Sequence, residues 1–434
     1  MEQSQIGFLK KGHKKAKEAE NILLVYTGYY ESFEEDGKRV GDWYKEDFAP
    51  YVGHLNEKGE MDDYFFDSFI FLALKTPTKG SLHRYYDWVT DAKLCTKKDW
   101  DWILDRMFIK GQQMDALNKA MGEANTKLKG EKKAKIFMVV PFPDPTIRGF
   151  GSIDGYGCLD DFSSTEVRNL ALKWFTDTFI KRFNESNYEN LELCGFYWMQ
   201  EDLDLTVNGE LENLRYIISY LHSKDLKMGW IPWSGAMLKE KGNELGYDFT
   251  LIQANRYFKN MTNIEAVKDT AEFAYKNNSG IEIEFDIETI NNEWYRQALR
   301  DYLIGGVKYG YMKDSVIAYY QGVYGLSKLY HSEKPIGRKL YNEVYEFAKG
   351  RYIPVKGDLK GKILDEDGNG IEGALVYSDE KSTTTDENGR YSLCGLSAIL
   401  TTINIEKQGY KKRSFSIGIL EEQIIVHHIT LDKI

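Results

Sequence analysis

The sequence predicts an α/β protein, a (β/α)8 barrel of the TIM type followed by an all-β sandwich at the C-terminus. Three observations support this prediction. Short apolar runs alternate eight times with amphipathic helical stretches, which indicates parallel strands joined by right-handed crossovers. The alternation extends over roughly 300 residues, a length that suits such a barrel with insertions. From Gly361 onward, short strand-like runs separated by Gly and Asn turns are typical of a small sandwich.

The eight predicted barrel strands are short apolar runs of the kind that a parallel sheet buries on both faces. They are Ile22–Tyr26, Asp67–Leu72, Ile136–Val140, Leu193–Trp198, Lys227–Ile231, Phe249–Ile252, Ile281–Phe285 and Val316–Tyr320. Apolar residues at helical spacing predict the helices between them. These are Lys98–Ala120, Thr165–Phe183, Leu211–His222, Ile264–Asn277 and Asn292–Lys308.

The chain divides near Pro354. We expect a frayed, lysine-rich start over residues 1–20, the barrel over residues 21–350 and the sandwich over residues 355–434. Each domain should own its core, so residues 1–353 should fold without the sandwich. The Gly-rich run Arg148–Gly155 is neither a dinucleotide fingerprint nor a P-loop, which disfavours a doubly wound sheet. We interpret it as a loop over the barrel mouth, either a lid or a plain surface loop.

Composition narrows the class of partner. The net charge of -10 and a pI near 5.4 argue against a broad nucleic-acid footprint. The 30 Tyr, 9 Trp and 22 Phe residues suit sugar binding, although they also fill cores. No apolar run approaches the roughly 20 residues of a transmembrane helix, and the start lacks the apolar segment of a signal peptide. We therefore expect a secreted or cell-envelope protein if a signal was trimmed, otherwise a cytoplasmic one, and the oligomeric state stays open.

The sequence contains no motif for a metal site, a cofactor or a catalytic serine triad. The four cysteines, Cys95, Cys158, Cys194 and Cys394, are scattered and are predicted to be buried thiols. Residues 365–370 mimic a calcium loop but no acid stands at its twelfth position, which favours a plain turn. There is no G-x-S-x-G or H-E-x-x-H motif, and His54 and His83 stand alone. We predict no metal and no cofactor.

The run Gly280–Glu288 alternates apolar and acidic residues. Because strand side chains alternate between faces, Glu282, Glu284, Asp286 and Glu288 should share one face, with the apolar residues packed under the helices. Clustered like charges raise one another's pKa and need solvent, partner groups or a ligand to compensate. A solvated edge strand is the ordinary alternative, but a position in the seventh barrel strand favours a site inside the barrel.

Glycoside hydrolysis needs two carboxyl groups that flank one bond. Glu201, which follows the fourth strand, and Glu284, on the seventh, could face each other across the mouth. Asp286 and Glu282 are alternatives to Glu284 because the register is uncertain, and Asp202 is a further supporting acid. Glu201 could instead cap the following segment or pair with Arg215.

Several other side chains near the strand ends are candidate sugar-binding residues. They are Tyr26, Asp144, Trp198, Trp230, Trp233, Gln253, Asn255 and Tyr319. An aromatic ring covers the apolar face of a sugar, and polar groups bind its hydroxyls. For each of the three tryptophans, a place in the barrel core is the competing interpretation.

The placement of Glu201 and Glu284 resembles the large clan of retaining barrel glycosidases, whose acid/base lies at the fourth strand and whose nucleophile lies at the seventh. The clan has Asn before its acid/base, whereas Gln200 stands here. The resemblance supports the reaction class more than the individual assignments.

The chain from about Ile22 to Leu340 also resembles a bacterial, glycosidase-like family described as domain of unknown function 4855. The motifs that carry this resemblance are Leu24–Tyr30, Asp67–Ile70, Gly195–Trp198 with Glu201, and Trp230–Trp233. The G-x-I-x-D-x-x-G, G-A-x-V, T-D-x-x-G-x-Y and G-Y motifs that follow resemble the carboxypeptidase regulatory-like, transthyretin-like domain. The first resemblance implies a barrel and a carbohydrate partner, and the second is nearly silent on function.

The leading hypothesis is a glycoside hydrolase that acts on a poly- or oligosaccharide by a retaining, two-carboxylate mechanism. Glu201 would be the general acid/base and Glu284 the nucleophile, with Asp286 or Glu282 tuning their charge. The rival is a non-catalytic glycan-binding or scaffold protein on the same barrel. An acid pair that faces an open cleft favours the enzyme, and occluded or separated acids favour the binder.

Overall fold

The computed structural model describes residues 6–34, 37–84, 91–153, 155, 160–258 and 265–434. Its first strands are β1 (Asn21–Tyr26), β2 (Gly53–Leu55), β3 (Met61–Tyr64), β4 (Ser68–Leu72), β5 (Ala134–Val140), β6 (Leu191–Trp198), β7 (Lys227–Trp230), β8 (Phe249–Gln253), β9 (Gly280–Glu284) and β10 (Ile317–Tyr320). All of them except β2 and β3 close into one barrel of parallel neighbours, in chain order around the ring. Each predicted strand overlaps one barrel strand, so the (β/α)8 fold is confirmed.

Helices surround this barrel. They are α1 (Lys45–Val52), α2 (Lys97–Met107), α3 (Gln113–Leu128), α4 (Thr165–Ser186), α5 (Glu210–His222), α6 (Gly242–Leu245), α7 (Ala266–Lys276), α8 (Glu288–Asn291), α9 (Glu293–Lys308), α10 (Tyr311–Asp314), α11 (Gly325–His331) and α12 (Pro335–Ala348). None of the helices among the described residues has both the length and the apolarity to cross a bilayer.

The single helix predicted over Lys98–Ala120 is wrong, because the structure breaks it into α2 and α3. Gly111 lies between them with a φ of 87°, and Gln113 has a φ of 47°. Both values belong to the left-handed region, which a continuous right-handed helix cannot include. The Gly111 N–H donates to the Asp115 carboxylate at 2.6 Å instead of to a helical carbonyl.

Strand β9 carries the acidic alternation, but it ends at Glu284. Asp286 lies in the following loop, and Glu288 begins α8, so the prediction of four carboxylates on one strand face is wrong beyond Glu284. Within the strand the alternation holds. The Glu282 charge acts on Tyr26 of β1 and on Tyr197 of β6, which are not neighbours of β9 in the barrel. Side chains of non-adjacent strands meet only through the interior, so Glu282 points into the barrel.

The C-terminal strands are β11 (Lys356–Leu364), β12 (Leu375–Tyr377), β13 (Ser382–Thr384), β14 (Arg390–Ser397), β15 (Leu400–Glu406), β16 (Arg413–Gly418), β17 (Ile424–Val426) and β18 (Ile429–Thr430). One sheet pairs β14, β11 and β17, with β18 also on β11, and the other has the order β13, β12, β15, β16. Apolar side chains from both sheets, among them Leu359, Val376 and Ile403, form one separate core. The predicted all-β module is confirmed.

The two domains are in contact at several points, and at one of them a turn of the sandwich enters the core of the barrel. Ala398 and Ile399, in the turn between β14 and β15, are 0% and 4% exposed and belong to the core of the barrel. On the barrel side, α9 meets this turn through the Gln297 side-chain N–H, which donates to the Ala398 carbonyl at 2.8 Å. The division near Pro354 therefore separates two cores except at this turn.

Candidate active site at the barrel mouth

Three carboxyl groups meet at the C-terminal end of the barrel strands. Glu282 and Glu284 lie on β9 and are 3% and 2% exposed, whereas Glu201 follows β6 and is exposed. Burial is the largest cause of the raised pKa values of Glu282 and Glu284, and the charge of Glu201 adds to both. The predicted acids of the fourth and seventh barrel strands are therefore electrostatic neighbours, as a two-carboxylate site requires.

Glu284 is held at both carboxylate oxygens. The Asn255 amide donates to Oε1 at 3.2 Å. The Tyr302 hydroxyl and, at 3.4 Å, the Tyr257 backbone N–H donate to Oε2. Burial outweighs these hydrogen bonds and raises the pKa of Glu284 to about 7. The group thus changes between acid and carboxylate near neutral pH in a fixed orientation.

Asn255 is fixed by the loops on both sides of it. Its φ of 53° lies in the left-handed region, which Asn tolerates better than most residues. The Asn255 amide oxygen accepts from the Ser234 N–H and hydroxyl, both at 2.8 Å. Its N–H group also donates to Gln253, whose own amide donates to the Ile231 carbonyl. The predicted Gln253 and Asn255 therefore act together to orient Glu284.

Glu282 lies deeper, at the floor of the mouth. Among the described residues no hydrogen bond reaches its carboxyl group. Its charge acts on the hydroxyls of Tyr26, Tyr197 and Tyr320. Burial, followed by the charges of Glu284 and Glu201, raises its pKa well above the ordinary value. Burial and the neighbouring acids thus favour the protonated form of Glu282, in a pit lined by tyrosines.

Asp286 takes a supporting position. Its Oδ1 accepts from the Tyr257 hydroxyl at 2.6 Å and from the Glu288 N–H at 2.7 Å. These bonds fasten the loop after β9 to the loop after β8. Because Tyr257 also donates its N–H to Glu284, Asp286 helps to orient the loop that holds Glu284.

The segment around Glu201 is anchored by its neighbours. The Gln200 amide oxygen accepts from the Arg84 N–H at 3.1 Å, and the Gln200 carbonyl accepts from the Trp230 indole at 2.9 Å. Asp202 accepts from the Leu203 and Met237 N–H groups. Gln200 and Asp202 thus hold the loop in place.

Two of the predicted tryptophans lie in the core. Trp198 is 1% exposed beside Phe142, and Trp230 is fully buried against Tyr247 with ring centroids 4.9 Å apart. Trp233 is half-buried in the loop that follows β7. Asp144 is buried in a turn in which it accepts from the Thr146 N–H and hydroxyl. Of these four candidates, the structure leaves only Trp233 partly open to solvent.

The structure does not bring Tyr319 to the mouth. Its hydroxyl donates to Asn21 at the first residue of β1, at the opposite end of the barrel. Tyr320 takes its place, with its ring 5.4 Å from Tyr26. The register pairs Tyr320 with Glu284, so both share the inner face. The sequence alone does not distinguish Tyr320 from the adjacent Tyr319, because only the strand register shows which of the two faces inward.

Tyr302 has no such signal. It lies in the middle of α9 and reaches Glu284 from outside the barrel. A contact from the middle of a helix to a strand end depends on how the helix packs, which the sequence pattern does not show.

The remaining sequence predictions concern thiols, metals and the Gly-rich loop. Cys95 and Cys194 are buried as predicted, and Cys158 lies outside the described residues. The prediction is wrong for Cys394, which is exposed on β14. Within the described ranges, no group of three or more His, Cys, Asp or Glu side chains could hold a metal ion. Phe150 of the Gly-rich run is buried against Trp100, which favours a plain loop over a lid.

The barrel domain matches a known protein family. A family model described as a domain of unknown function, DUF4855, matches residues 21–346. The chain belongs to this family. The DUF4855 barrel is followed by a match to the carboxypeptidase regulatory-like domain over residues 358–432. Both families are those predicted from the sequence motifs, in the predicted order.

Individual relatives match only short parts of the chain. A viral protein described as structural protein 27, from the virus isolate Australia/Victoria, is 31% identical over 98 residues, which are 20% of this chain and 19% of that protein. The chain thus spans about a fifth of the length of this curated relative. The Bacillus anthracis TIE protein has 19% identity over 18% of this chain and 17% of its own, with a TM-score of 0.17. The 3-chlorocatechol 1,2-dioxygenase of Rhodococcus opacus 1CP has 14% identity over 19% of this chain and 61% of its own, with a TM-score of 0.17.

Proposed function

We propose that the DUF4855 barrel is a glycoside hydrolase that acts on a poly- or oligosaccharide. One observation carries the proposal. An exposed carboxyl group, Glu201, and a buried, fully oriented carboxyl group, Glu284, lie at the C-terminal ends of the fourth and seventh barrel strands and act on each other electrostatically. Barrel enzymes build their sites at this end, and two carboxyl groups suffice for glycosidic bond cleavage.

The proposed mechanism is retaining. The Glu284 carboxylate attacks the anomeric carbon while Glu201 gives its proton to the departing glycosidic oxygen, which yields a glycosyl ester and a free alcohol. Glu201 then removes a proton from water, and the resulting hydroxide cleaves the ester and restores both carboxyl groups. Exposure suits Glu201 to proton exchange with solvent, and the hydrogen bonds from Asn255 and Tyr302 aim Glu284 at one point.

The charge of the mouth restricts the sugar. Glu201, Glu284 and Asp286 are acidic, and the nearby Arg256 is already paired with Asp301 at 2.9 Å. A uronic acid would add another negative charge to this group. We therefore expect neutral or amino sugars as substrates, with Tyr26 and Tyr320 supplying ring surface beside Glu282.

A screen of glycan hydrolysis with the purified full chain tests the proposal, with new reducing ends as the readout. On a glycan that the wild type cleaves, Glu201→Gln and Glu284→Gln should each lower turnover by about 10²- to 10⁴-fold or more, since an amide neither donates a proton as an acid nor attacks. Both variants should still fold and bind the glycan. Near-normal turnover in both variants would eliminate this pair, and binding without turnover by the wild type would favour the glycan-binding alternative.

A further inference from the structure

Helix α9 connects the sandwich to the candidate nucleophile. On one side, Gln297 donates to the Ala398 carbonyl of the sandwich turn at 2.8 Å. On the other side, the Tyr302 hydroxyl donates to Glu284. These residues lie five positions apart on one helix, so any shift of α9 moves both contacts together.

A chain of polar groups joins the two contacts, and all of its members are buried except Gln297, which is half-buried. The same Gln297 amide donates to Asp301 Oδ1 at 2.9 Å, and Asp301 Oδ2 accepts from the Arg256 guanidinium at 3.0 Å. The Arg256 backbone N–H donates to the Tyr302 hydroxyl at 3.2 Å. Each link is a hydrogen bond between groups that burial makes costly to leave unpaired, so the links favour one common arrangement.

The sandwich also fixes α9 by charge and packing. Arg300, 2% exposed, binds Glu343 of α12 through two bonds of 3.1 and 3.2 Å and also pairs with Glu421 of the sandwich. Ala398 and Ile399 fill the barrel core beside this helix. Arg300 thus joins α9 both to α12 and to the sandwich, and a shift of the helix would disturb both ion pairs.

We propose that the C-terminal sandwich is a positioning element of the DUF4855 site, in which the turn at Ala398 and Ile399 fixes α9, and α9 aims the Glu284 carboxyl through Tyr302. The inference rests on the proposed function for its catalytic meaning only. Gln297, Asp301 and Arg256 are positioning residues in this arrangement, because none of their side chains bonds Glu284 directly. The sandwich then contributes to the chemistry without touching a glycan.

The titration of Glu284 tests this directly, without substrate. Its carboxyl carbon can be followed by NMR in the full-length protein labelled at glutamate, with Glu284→Gln assigning the signal. The described ionisable groups that face it are Glu201, Glu282, Tyr302 and Tyr320. Tyr302→Phe removes a donor to the carboxylate and should raise the Glu284 pKa by about one unit.

Gln297→Met keeps the side-chain length and removes both bonds of the link. It should raise the Glu284 pKa by roughly half a unit in the wild-type background and by nothing in the Tyr302→Phe background, because its effect passes through Tyr302. Asp379→Asn is the matched control. It breaks another contact between α9 and the sandwich, Lys308 to Asp379 at 2.9 Å, at the far end of the helix, and should leave the pKa unchanged.

The proposal is overturned if Gln297→Met leaves the Glu284 pKa unchanged. It is also overturned if Gln297→Met shifts this pKa equally in the wild-type and Tyr302→Phe backgrounds. If Gln297→Met does not fold, Ile399→Ala loosens the same turn from the sandwich side and carries the same expectation. If the wild type cleaves a glycan but the Glu284 pKa does not change in Gln297→Met, the positioning role is refuted and the proposed function stands. If the Glu284 pKa changes as expected but no glycan is hydrolysed, the positioning role is upheld and the proposed function is not.

Discussion

The two ends of the barrel differ in the surroundings that they give to their acidic side chains. At the N-terminal end, the Asp67 carboxylate accepts from the backbone N–H groups of Glu20 and Asn21, at 3.1 and 2.8 Å, and pairs with Lys135 at 3.1 Å. At the C-terminal end, Glu282 and Glu284 are more deeply buried, and burial beside other acids raises the pKa of each. No cation pairs with either of them among the described residues.

This difference distinguishes an acid that stabilises the barrel, Asp67, from the acids of the candidate site. Asp67 joins β1, β4 and β5 at their starts, where its bonds hold the ring together. The acids at the mouth cost stability when they ionise, since burial without a cation disfavours charge. Surface shape does not reveal the distinction, because a cleft of about 780 Å³ lies at the N-terminal end and is lined by lysines and acids such as Lys11 and Glu192. The chemistry of the acids locates the candidate site at the other end.

The largest effect on stability should come from the N-terminal end. Asp67→Ala leaves two backbone donors and a lysine without their acceptor, and we expect a loss of about 3 kcal/mol in the free energy of unfolding. Urea titration monitored by tryptophan fluorescence measures this loss. Turnover of a cleaved glycan should stay within a factor of about two of wild type, since Asp67 lies far from the mouth. A large loss of turnover at unchanged stability would show that the two ends are not separated in this way.

The second effect has the opposite sign and depends on pH. The pKa of Glu284 is about 7 in the folded protein against an ordinary value of 4.5, so the folded state holds the proton more tightly. Stability from this group is therefore lost as pH rises from about 4.5 through 7. Glu284→Gln cannot ionise and should gain about 2 kcal/mol relative to wild type between about pH 5 and pH 8. Unfolding curves of both proteins at the two pH values measure the gain, and a difference that is the same at both would place Glu284 in a compensated environment.

The barrel is predictable from the sequence because its strands are short apolar runs at regular spacing, and burial on both faces leaves little freedom of register. Glu282 and Glu284 follow from alternation along β9. The pattern does not predict the positions of Asp286 and Glu288. The sequence continues to alternate apolar and acidic residues up to Glu288, but the hydrogen-bonded strand ends at Glu284.

Two features of the site could not be predicted from the sequence. Tyr319 and Tyr320 are adjacent and chemically identical, and only the pairing of Tyr320 with Glu284 shows which one faces inward. Tyr302 and the sandwich turn reach the site through the packing of α9, which involves residues about a hundred positions apart. Local patterns carry no information about such contacts.

The most direct test of the central claim is the identity of the carboxyl group that becomes bonded to sugar. In Glu201→Gln, an aryl glycoside of the cleaved sugar should still react with Glu284, because a good leaving group needs no acid, while water attack slows without its base. Denaturing mass spectrometry should then find one glycosyl ester, on the peptide that contains Glu284. An ester on Asp286, or inverted product with no ester at any time, would contradict the assignment of Glu284 as nucleophile.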